Sequence, residues 1–441
     1  LNAFDMNCVA HQSCGLWQHP RDSSHEYNTM KYWLEFAQTL ERGLFDGVFL
    51  ADVTGVYDVY GGSPDAALRT ALQVPTNDPF TIVPAMAAVT DHLCFGVTGT
   101  IPYEPPYAFA RRISSLDHIT AGRMGWNVVT GYLDSAARGT GKKQQTEHDT
   151  RYEIAAEYIE LVYKLWEGSW DDGAVLRDKE RGIFTDPEKV HKIVHEGEYF
   201  QLEAVHLCEP SPQRTPVIFQ AGASAKGQAF AGRHAECVFV GNPGIEPLTA
   251  AVNRLREQAE SQGRQGADLK IFAMNSIVVA ETDAQAQAKF DDYMQYASAE
   301  AALVLTSGWT GIDLSQYALT DRAQATSTQA IQSSLAMLGT RTVGEWAKTL
   351  AVGGASPVVI GSPETVADKL QQQFEETGVD GFNLAYTVMP ESIVDFVEMV
   401  VPELQKRGIY KTDYRPGTFR EKLFDRGPRL QTPHPGAGFR N

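Results

Sequence analysis

Short, almost uninterrupted apolar runs recur along the chain, and each is followed by a segment whose apolar residues have helical spacing. Strands buried on both faces show such continuous runs, and their alternation with helices is typical of parallel strands joined by right-handed crossovers. The pattern predicts strands at residues 1–7, 45–51, 93–98, 123–130, 216–220, 237–240, 270–279 and 381–386. The intervening helices are predicted at residues 30–42, 78–90, 107–118, 148–166, 227–234, 247–262, 283–297 and 392–407.

Eight strand–helix units predict an α/β fold, a (β/α)8 TIM barrel in which residues 1–441 form a single domain. The alternative is a doubly wound open sheet, but no Gly-rich turn of the kind usual in that fold follows Asn7. Insertions at about 170–214 and 300–353 are expected at the C-terminal face of the barrel; the second has a Ser/Thr/Gln-rich centre near 326–334. Residues 410–441, rich in Pro, Gly and Arg, predict an extended C-terminal arm.

The chain is acidic, with 38 Lys and Arg against 55 Asp and Glu, a formal charge of −17. Such a surface repels nucleic acid and anionic membranes, so neither is expected as a partner. No apolar run approaches the roughly 18 residues of a membrane span. The odd number of cysteines favours reduced thiols and a cytoplasmic location. Cys8, His11 and Cys14 fit no zinc spacing, so no metal is expected.

Polar residues stand where three of the predicted strands end. Asp52 follows the second strand, Thr98 ends the third, and Asn127 and Thr130 close the fourth. Ligands of barrel enzymes bind at the carboxyl ends of the strands. These side chains are therefore candidates to hold a ring with amide-like edges, such as a flavin, although each of them alone also suits a cap for the next helix.

Two helix starts predict an anion site. His148 and Tyr152 are four residues apart on one helix face, and Ser224 opens another helix after the small-residue turn Gln220-Ala-Gly-Ala-Ser224. Side-chain donors at a helix start can join the free backbone N–H groups to hold a phosphate. The alternative is a solvent-facing His, a Tyr at the edge of the core and a Ser that only caps its helix.

Residues on the first two strand–helix loops suit an apolar pocket with a few polar points, among them Cys8, His11, Tyr57 and Gln73. Any one of them, taken alone, is more often explained by packing. The Gly-x-Ser-x-Gly, His-Glu-x-x-His and P-loop motifs are missing. A large site without a protein nucleophile indicates that a cofactor carries the chemistry.

Ordered motifs along nearly the whole chain resemble those of the bacterial luciferase-like flavin monooxygenases. The similarity is to the branch that contains nitrilotriacetate, dibenzothiophene sulfone, dimethyl sulfide and long-chain alkane monooxygenases. The motifs include Asn2-Ala-Phe-Asp-Met-Asn-Cys8, Phe49-Leu-Ala-Asp52, Trp126-Asn-Val-Val-Thr130, Glu147-His-Asp-Thr-Arg-Tyr152, Gln220-Ala-Gly222 and Asp380-Gly-Phe-Asn383.

The resemblance implies a TIM barrel that takes reduced FMN from a separate NAD(P)H:FMN oxidoreductase. Reduced FMN and O2 would form a C4a-(hydro)peroxyflavin that inserts one oxygen atom into a small apolar substrate, similar to dimethyl sulfide or an alkane. It further implies a homodimer or homotetramer. The positions implied to contact FMN are Asp52, Thr98, Asn127, His148, Tyr152 and Ser224, the last three at the phosphate.

The implied substrate pocket contains Cys8, His11, Tyr57 and Gln73. The alkane-oxidising members of the branch have histidines where this chain has Tyr132 and Leu305. Both residues are more similar to those of the dimethyl sulfide branch. His11, Tyr132 and Tyr57 are then the candidates for catalysis, and Cys8, Gln73 and Leu305 for substrate binding.

Three alternatives are distinguishable by experiment. One is a member of the same family that oxygenates an aminocarboxylate or an aryl sulfone. A flavin-binding protein without catalysis would bind oxidised FMN tightly. A metal-dependent hydrolase on the same barrel would contain bound metal.

Overall fold

The computed structural model describes residues 1–222, 224–323, 341–354 and 357–440. Eight parallel strands close into a barrel in the order β1-β2-β3-β4-β9-β10-β11-β13, and β13 pairs with β1 through Asn2 and Asn383. The barrel strands are β1 (Asn2–Met6), β2 (Gly47–Ala51), β3 (Cys94–Thr100), β4 (Met124–Val129), β9 (Val217–Gln220), β10 (Cys237–Val240), β11 (Lys270–Val279) and β13 (Gly381–Ala385). This closure confirms the predicted TIM barrel and excludes the open sheet.

Helices follow the strands and pack their apolar faces on the outside of the barrel. The α-helices are Met30–Arg42, Asp65–Thr70, Val83–Ala87, Pro106–Ile119, Asp134–Gly139, His148–Tyr163, Ala225–His234, Ile245–Ser261, Asp283–Met294, Ala299–Thr310, Val343–Leu350, Pro363–Thr377, Glu391–Asp395, Val401–Lys406 and Phe419–Phe424. Two π-helical turns, Lys164–Gly168 and Phe396–Val400, continue the helices that precede them. Among the described residues, none of these helices is long and apolar enough to span a membrane.

Phenylalanines fill the barrel interior. Phe219 and Phe239 stack at 5.3 Å, and Phe49 lies 4.1 Å from Phe239 between ring centroids. Gly125 faces them, and a Cβ there would lie 2.5 Å from the Phe219 ring, so only glycine leaves room for the ring. The middle of the barrel is therefore a packed core, and a ligand site has to lie at one of its ends.

The C-terminal arm closes the N-terminal end of the barrel. Phe419 packs 5.6 Å from Phe219, and its backbone N–H donates to the Gly122 carbonyl just before β4. The neighbouring Arg420 is buried and pairs with the buried Glu236 at 2.6 Å. This end is sealed by the protein's own chain, which leaves the carboxyl ends of the strands for ligands.

The first insertion does not lie over the C-terminal face of the barrel, so its predicted position is wrong. Residues 170–214 form two antiparallel hairpins, β5 (Val175–Asp178) with β6 (Ile183–Thr185) and β7 (Ile193–Glu196) with β8 (Gln201–Ala204). A helix after a barrel strand runs back towards the N-terminal end, so the segment that follows it begins there. Accordingly, Asp172 of the insertion forms salt bridges both with Arg214 of the insertion and with Arg429 of the C-terminal arm.

The second insertion does reach the carboxyl ends of the strands. Its helix Ala299–Thr310 is almost wholly buried and forms a second apolar cluster with Tyr57, Leu72 and Leu133. The Ser/Thr/Gln-rich centre near 326–334 lies outside the described residues. After the insertion come β12 (Val358–Gly361), which extends the sheet beside the last residues of β11, and the helix Pro363–Thr377. Neither was predicted.

Candidate functional site

Thr98 and Asn127 are brought together by the pairing of β3 with β4. They are register partners, and the Asn127 Nδ2 donates to the Thr98 Oγ1 over 3.0 Å. Both side chains are buried, and among the described residues the Asn127 Oδ1 has no hydrogen-bond partner. An unpaired buried amide oxygen costs about 1–3 kcal/mol, so this atom suits an N–H donor supplied by a ligand.

Asp52 follows β2 directly, at the same end of the barrel. Burial, and to a lesser extent the carboxylate of Asp78, raises the pKa of Asp52 to about 7. The backbone N–H of Val53 opposes this shift. Near neutral pH, Asp52 is therefore present both as a neutral acid that can donate and as a carboxylate that can only accept.

Tyr152 and Ser224 come together where two helices begin. Ser224 caps the helix Ala225–His234 by accepting from the Gly227 N–H over 3.1 Å. Burial raises the pKa of Tyr152, and hydrogen bonding to Ser224 lowers it. A Cβ at either Gly222 or Gly227 would lie 2.7 Å from the Tyr152 hydroxyl oxygen, so the absence of both side chains makes room for this hydroxyl.

His148 is the first residue of the helix that carries Tyr152. Its ring lies 5.2 Å from the Tyr152 ring, and its Nδ1 donates to the Asp149 carboxylate over 2.8 Å. A hydroxyl, an imidazole, a serine oxygen and the N–H groups of two helix starts thus converge, which is the chemistry of a phosphate site. With the Asn127 oxygen, these residues fit a flavin nucleotide.

A second group of side chains forms a hydrogen-bond network beyond β2 and β4. The Tyr57 and Tyr132 hydroxyl oxygens are 2.5 Å apart, and the Tyr57 hydroxyl donates to the Gln73 Oε1 over 3.1 Å. Gln73 in turn donates from Nε2 to the His11 backbone carbonyl over 3.0 Å. Tyr132 comes three residues after β4, the strand that contains Asn127. The network therefore lies at the same end of the barrel as Asn127.

Burial keeps the ionisable groups in and around this hydrogen-bond network neutral. It lowers the pKa of His11 to about 3 and raises that of Tyr132 to about 12, so neither is charged near neutral pH. The pKa of Tyr57 is raised for the same reason, and that of the Cys8 thiol is raised by burial and by the charges of Asp5 and Asp52. His11 therefore offers a neutral imidazole rather than an imidazolium acid.

The second insertion covers this hydrogen-bond network with apolar side chains. Leu305 is fully buried in the same cluster as Tyr57. A Cβ on Gly308 would overlap the Tyr57 ring, and hydrogen bonding from Trp309 lowers the pKa of Tyr132. Gly308 and Trp309 could not be picked out from the sequence, where only the mostly apolar character of their helix marks the segment as buried.

Comparisons with known proteins point to one family. The sequence profile of the luciferase-like monooxygenase family matches residues 6–381. The dimethyl-sulfide monooxygenase of Hyphomicrobium sulfonivorans is 49% identical over 451 residues, covering 100% of this chain and 93% of that protein. The long-chain alkane monooxygenase of Geobacillus thermodenitrificans is 50% identical over 442 residues, covering 100% and 98%. The crystal structure of a riboflavin lyase with modified FMN and riboflavin has a TM-score of 0.95 at 39% identity, covering 100% and 99%.

The chain belongs to the luciferase-like monooxygenase family. Among the family's proteins, it is similar to enzymes of dimethyl sulfide and alkane oxidation over its whole length. The predicted class, a flavin-dependent monooxygenase that uses reduced FMN and O2, is thereby confirmed. The roles of individual residues stay predictions.

Proposed function

We propose that this protein is the oxygenase component of a two-component system, which uses reduced FMN and O2 to oxygenate a small apolar substrate similar to dimethyl sulfide or an alkane. The observation that carries the proposal is the neutral, mostly apolar wall around Tyr57 and Tyr132. Leu305 and Trp309 supply apolar surface to this wall, and His11 and the two tyrosines are uncharged near neutral pH.

The same wall disfavours one of the alternative substrates, the aminocarboxylate. An aminocarboxylate carries several negative charges, and burying them without cations costs far more than a few hydrogen bonds return. A small hydrocarbon or sulfide is bound by displacing water and packing closely against apolar surface. Leu305, Trp309 and the Tyr57 ring provide such a surface. The proposal therefore favours an apolar substrate over an aminocarboxylate.

In this proposal, FMN lies across the carboxyl ends of β2, β3 and β4. The Asn127 Oδ1 accepts an N–H of the ring system, with Thr98 holding the Asn127 amide in place and Asp52 at the edge of the ring. His148, Tyr152 and Ser224 hold the phosphate at the two helix starts. When bound, reduced FMN supplies the electrons that activate O2.

The pocket residues then do three things. Leu305 and Trp309 exclude water from the reacting centre, which limits the loss of reducing power as H2O2. Tyr57 and Tyr132 place a polar point beside otherwise apolar walls. Cys8 stays a neutral thiol, because burial and neighbouring carboxylates disfavour the thiolate that oxidants attack.

A separate NAD(P)H:FMN oxidoreductase is proposed to supply the reduced FMN, because the resemblance to two-component flavin monooxygenases implies such a partner. A homodimer or homotetramer is proposed from the family resemblance, and a cytoplasmic location is proposed from the free cysteines.

The test is a substrate panel with reduced FMN from a flavin reductase, read by O2 consumption and mass spectrometry. The panel contains dimethyl sulfide, n-alkanes of increasing length, dibenzothiophene sulfone and nitrilotriacetate. Oxygenation of the sulfide or an alkane supports the proposal. Turnover of the sulfone or the aminocarboxylate alone would overturn the substrate class, and tight binding of oxidised FMN without any product would indicate a flavin-binding protein.

A further inference from the structure

The proposed phosphate site has to supply hydrogen-bond donors, because a phosphate dianion only accepts hydrogen bonds. Tyr152 and Ser224 each have a hydroxyl proton to donate. The Ser224 oxygen accepts from the Gly227 N–H over 3.1 Å, and its own proton is not used in that bond. His148 has to donate from a ring nitrogen, and an imidazole carries one N–H when it is neutral and two when it is charged.

The neighbouring carboxylate decides which nitrogen of His148 carries its proton. The Asp149 Oδ1 lies 2.8 Å from the His148 Nδ1. Hydrogen bonding from His148 lowers the pKa of Asp149, and the charge of Lys226 lowers it further, so Asp149 is a carboxylate that only accepts. The proton on Nδ1 is therefore committed to Asp149. A neutral His148 held in this way has no proton on Nε2.

We infer that Asp149 is a positioning residue, which holds the His148 ring through Nδ1 and so makes the binding of FMN take up a proton. This inference rests on the proposed function, because it places the FMN phosphate beside His148. With its Nδ1 proton bonded to Asp149, the ring can donate from Nε2 only after it gains a proton from solvent. One proton is then consumed for each FMN bound, and no covalent bond of FMN forms or breaks.

The charged and titratable groups around His148 come from two helix starts. On its own helix, Glu147 and Asp149 flank His148 in sequence, and the Tyr152 ring lies 5.2 Å from the imidazole. Burial raises the pKa of Tyr152, so this phenol stays neutral. From the second helix start, Lys226 acts on Asp149. A helix start stabilises an anion, and the bound phosphate supplies negative charge beside which an imidazolium is favoured.

The test counts the protons that accompany the binding of oxidised FMN and of riboflavin to the full-length protein. Both ligands are titrated by isothermal calorimetry at about pH 8, in buffers that differ in ionisation enthalpy. At this pH the phosphate of FMN is mostly a dianion, and an ordinary imidazole is mostly neutral. We expect an uptake close to one proton for FMN and close to none for riboflavin. Riboflavin has the same ring, so the difference removes any proton that Asp52 exchanges.

Asp149→Asn keeps the shape of the side chain and removes its charge. The new amide can donate to Nδ1, so a neutral His148 can keep its proton on Nε2 and give it to the phosphate. The uptake is expected to fall well below half a proton, while FMN stays preferred over riboflavin. His148→Gln should abolish the uptake. Asp171→Asn is the matched control, because the Asp171 carboxylate lies 2.8 Å from the His191 Nε2 in the first insertion, and it should leave the uptake unchanged.

The affinity gives a second readout. An uptake of one proton raises the dissociation constant of FMN relative to riboflavin about tenfold per pH unit above neutrality, and this slope should be nearly lost in Asp149→Asn. A purely structural role for Asp149 predicts weaker binding with an unchanged slope.

Binding of FMN by the wild-type protein without proton uptake would overturn the inference, and so would an equal uptake in Asp149→Asn. Equal affinities for FMN and riboflavin at every pH would overturn it together with the proposed phosphate site. The proton count is read without turnover, so the two failures are distinguishable. Oxygenation of an apolar substrate without proton uptake on FMN binding rejects only the inference, and uptake without oxygenation rejects only the proposed reaction.

Discussion

Replacing Gly227 with alanine is expected to weaken FMN binding through Tyr152. The new Cβ would lie 2.7 Å from the Tyr152 hydroxyl oxygen and 3.0 Å from the Gly222 Cα, and the backbone contact cannot relax as easily as the phenol. The hydroxyl is therefore displaced. A hydrogen bond to a charged group contributes about 1.5–3 kcal/mol, so its complete loss weakens FMN binding about tenfold or more, and its partial loss weakens binding by less.

The assay is the quenching of flavin fluorescence, measured with FMN and with riboflavin, which lacks the phosphate. Gly227→Ala should lower the affinity for FMN and leave that for riboflavin nearly unchanged. In a Tyr152→Phe background, the same substitution should have little further effect. Gly139→Ala is the matched control, since a Cβ there meets open space. Equal weakening of FMN and riboflavin by Gly227→Ala, or a full effect without the Tyr152 hydroxyl, would refute the proposed phosphate site.

Three further results are expected. Gly308→Ala should push the Tyr57 ring aside and destabilise the protein by about 1–3 kcal/mol in chemical denaturation, and an unchanged unfolding midpoint would contradict the packing described here. Because the pKa of Asp52 is raised to about 7, the folded protein holds a proton between about pH 4 and 7 that the unfolded chain releases, so stability falls as the pH rises through this window. Asp52→Asn should remove part of that fall, seen as a gain over wild type at pH 8 that is smaller at pH 4; the same difference at both pH values would argue against the shift. Arg420→Met should cost about 3–5 kcal/mol because it leaves Glu236 buried and unpaired, and adding Glu236→Gln should recover much of the loss.

The barrel could be predicted from sequence because each of its strands is buried on both faces. Residues 45–51 and 123–130, for example, are apolar runs that stop at polar residues, and the structure has strands at Gly47–Ala51 and Met124–Val129. The strand Val358–Gly361 was missed because it is short and pairs outside the barrel. The helix Ala299–Thr310 was missed because it is buried on nearly all sides, so its sequence lacks the amphipathic period that marks a surface helix.

The site was predictable in part. Thr98 and Asn127 are marked by their place at strand ends, and adjacent strands bring such residues together. The contact between Gln73 and the His11 carbonyl joins two loops 62 residues apart, and no local pattern announces it. Likewise, Gly308 reveals its importance only where the Tyr57 ring packs on it. The predicted position of the first insertion was wrong, because the length of a loop does not indicate at which end of the barrel the loop lies.

The central claim is that this protein inserts one atom of O2 into a small apolar substrate with reduced FMN. The most direct test is turnover under ¹⁸O2 with a flavin reductase, with dimethyl sulfide and a series of n-alkanes as substrates and mass spectrometry of the products. The account predicts one ¹⁸O atom per product molecule and none when the label is in water. Complete oxidation of the reduced FMN to H2O2 with every substrate, or label that enters only from water, would contradict it.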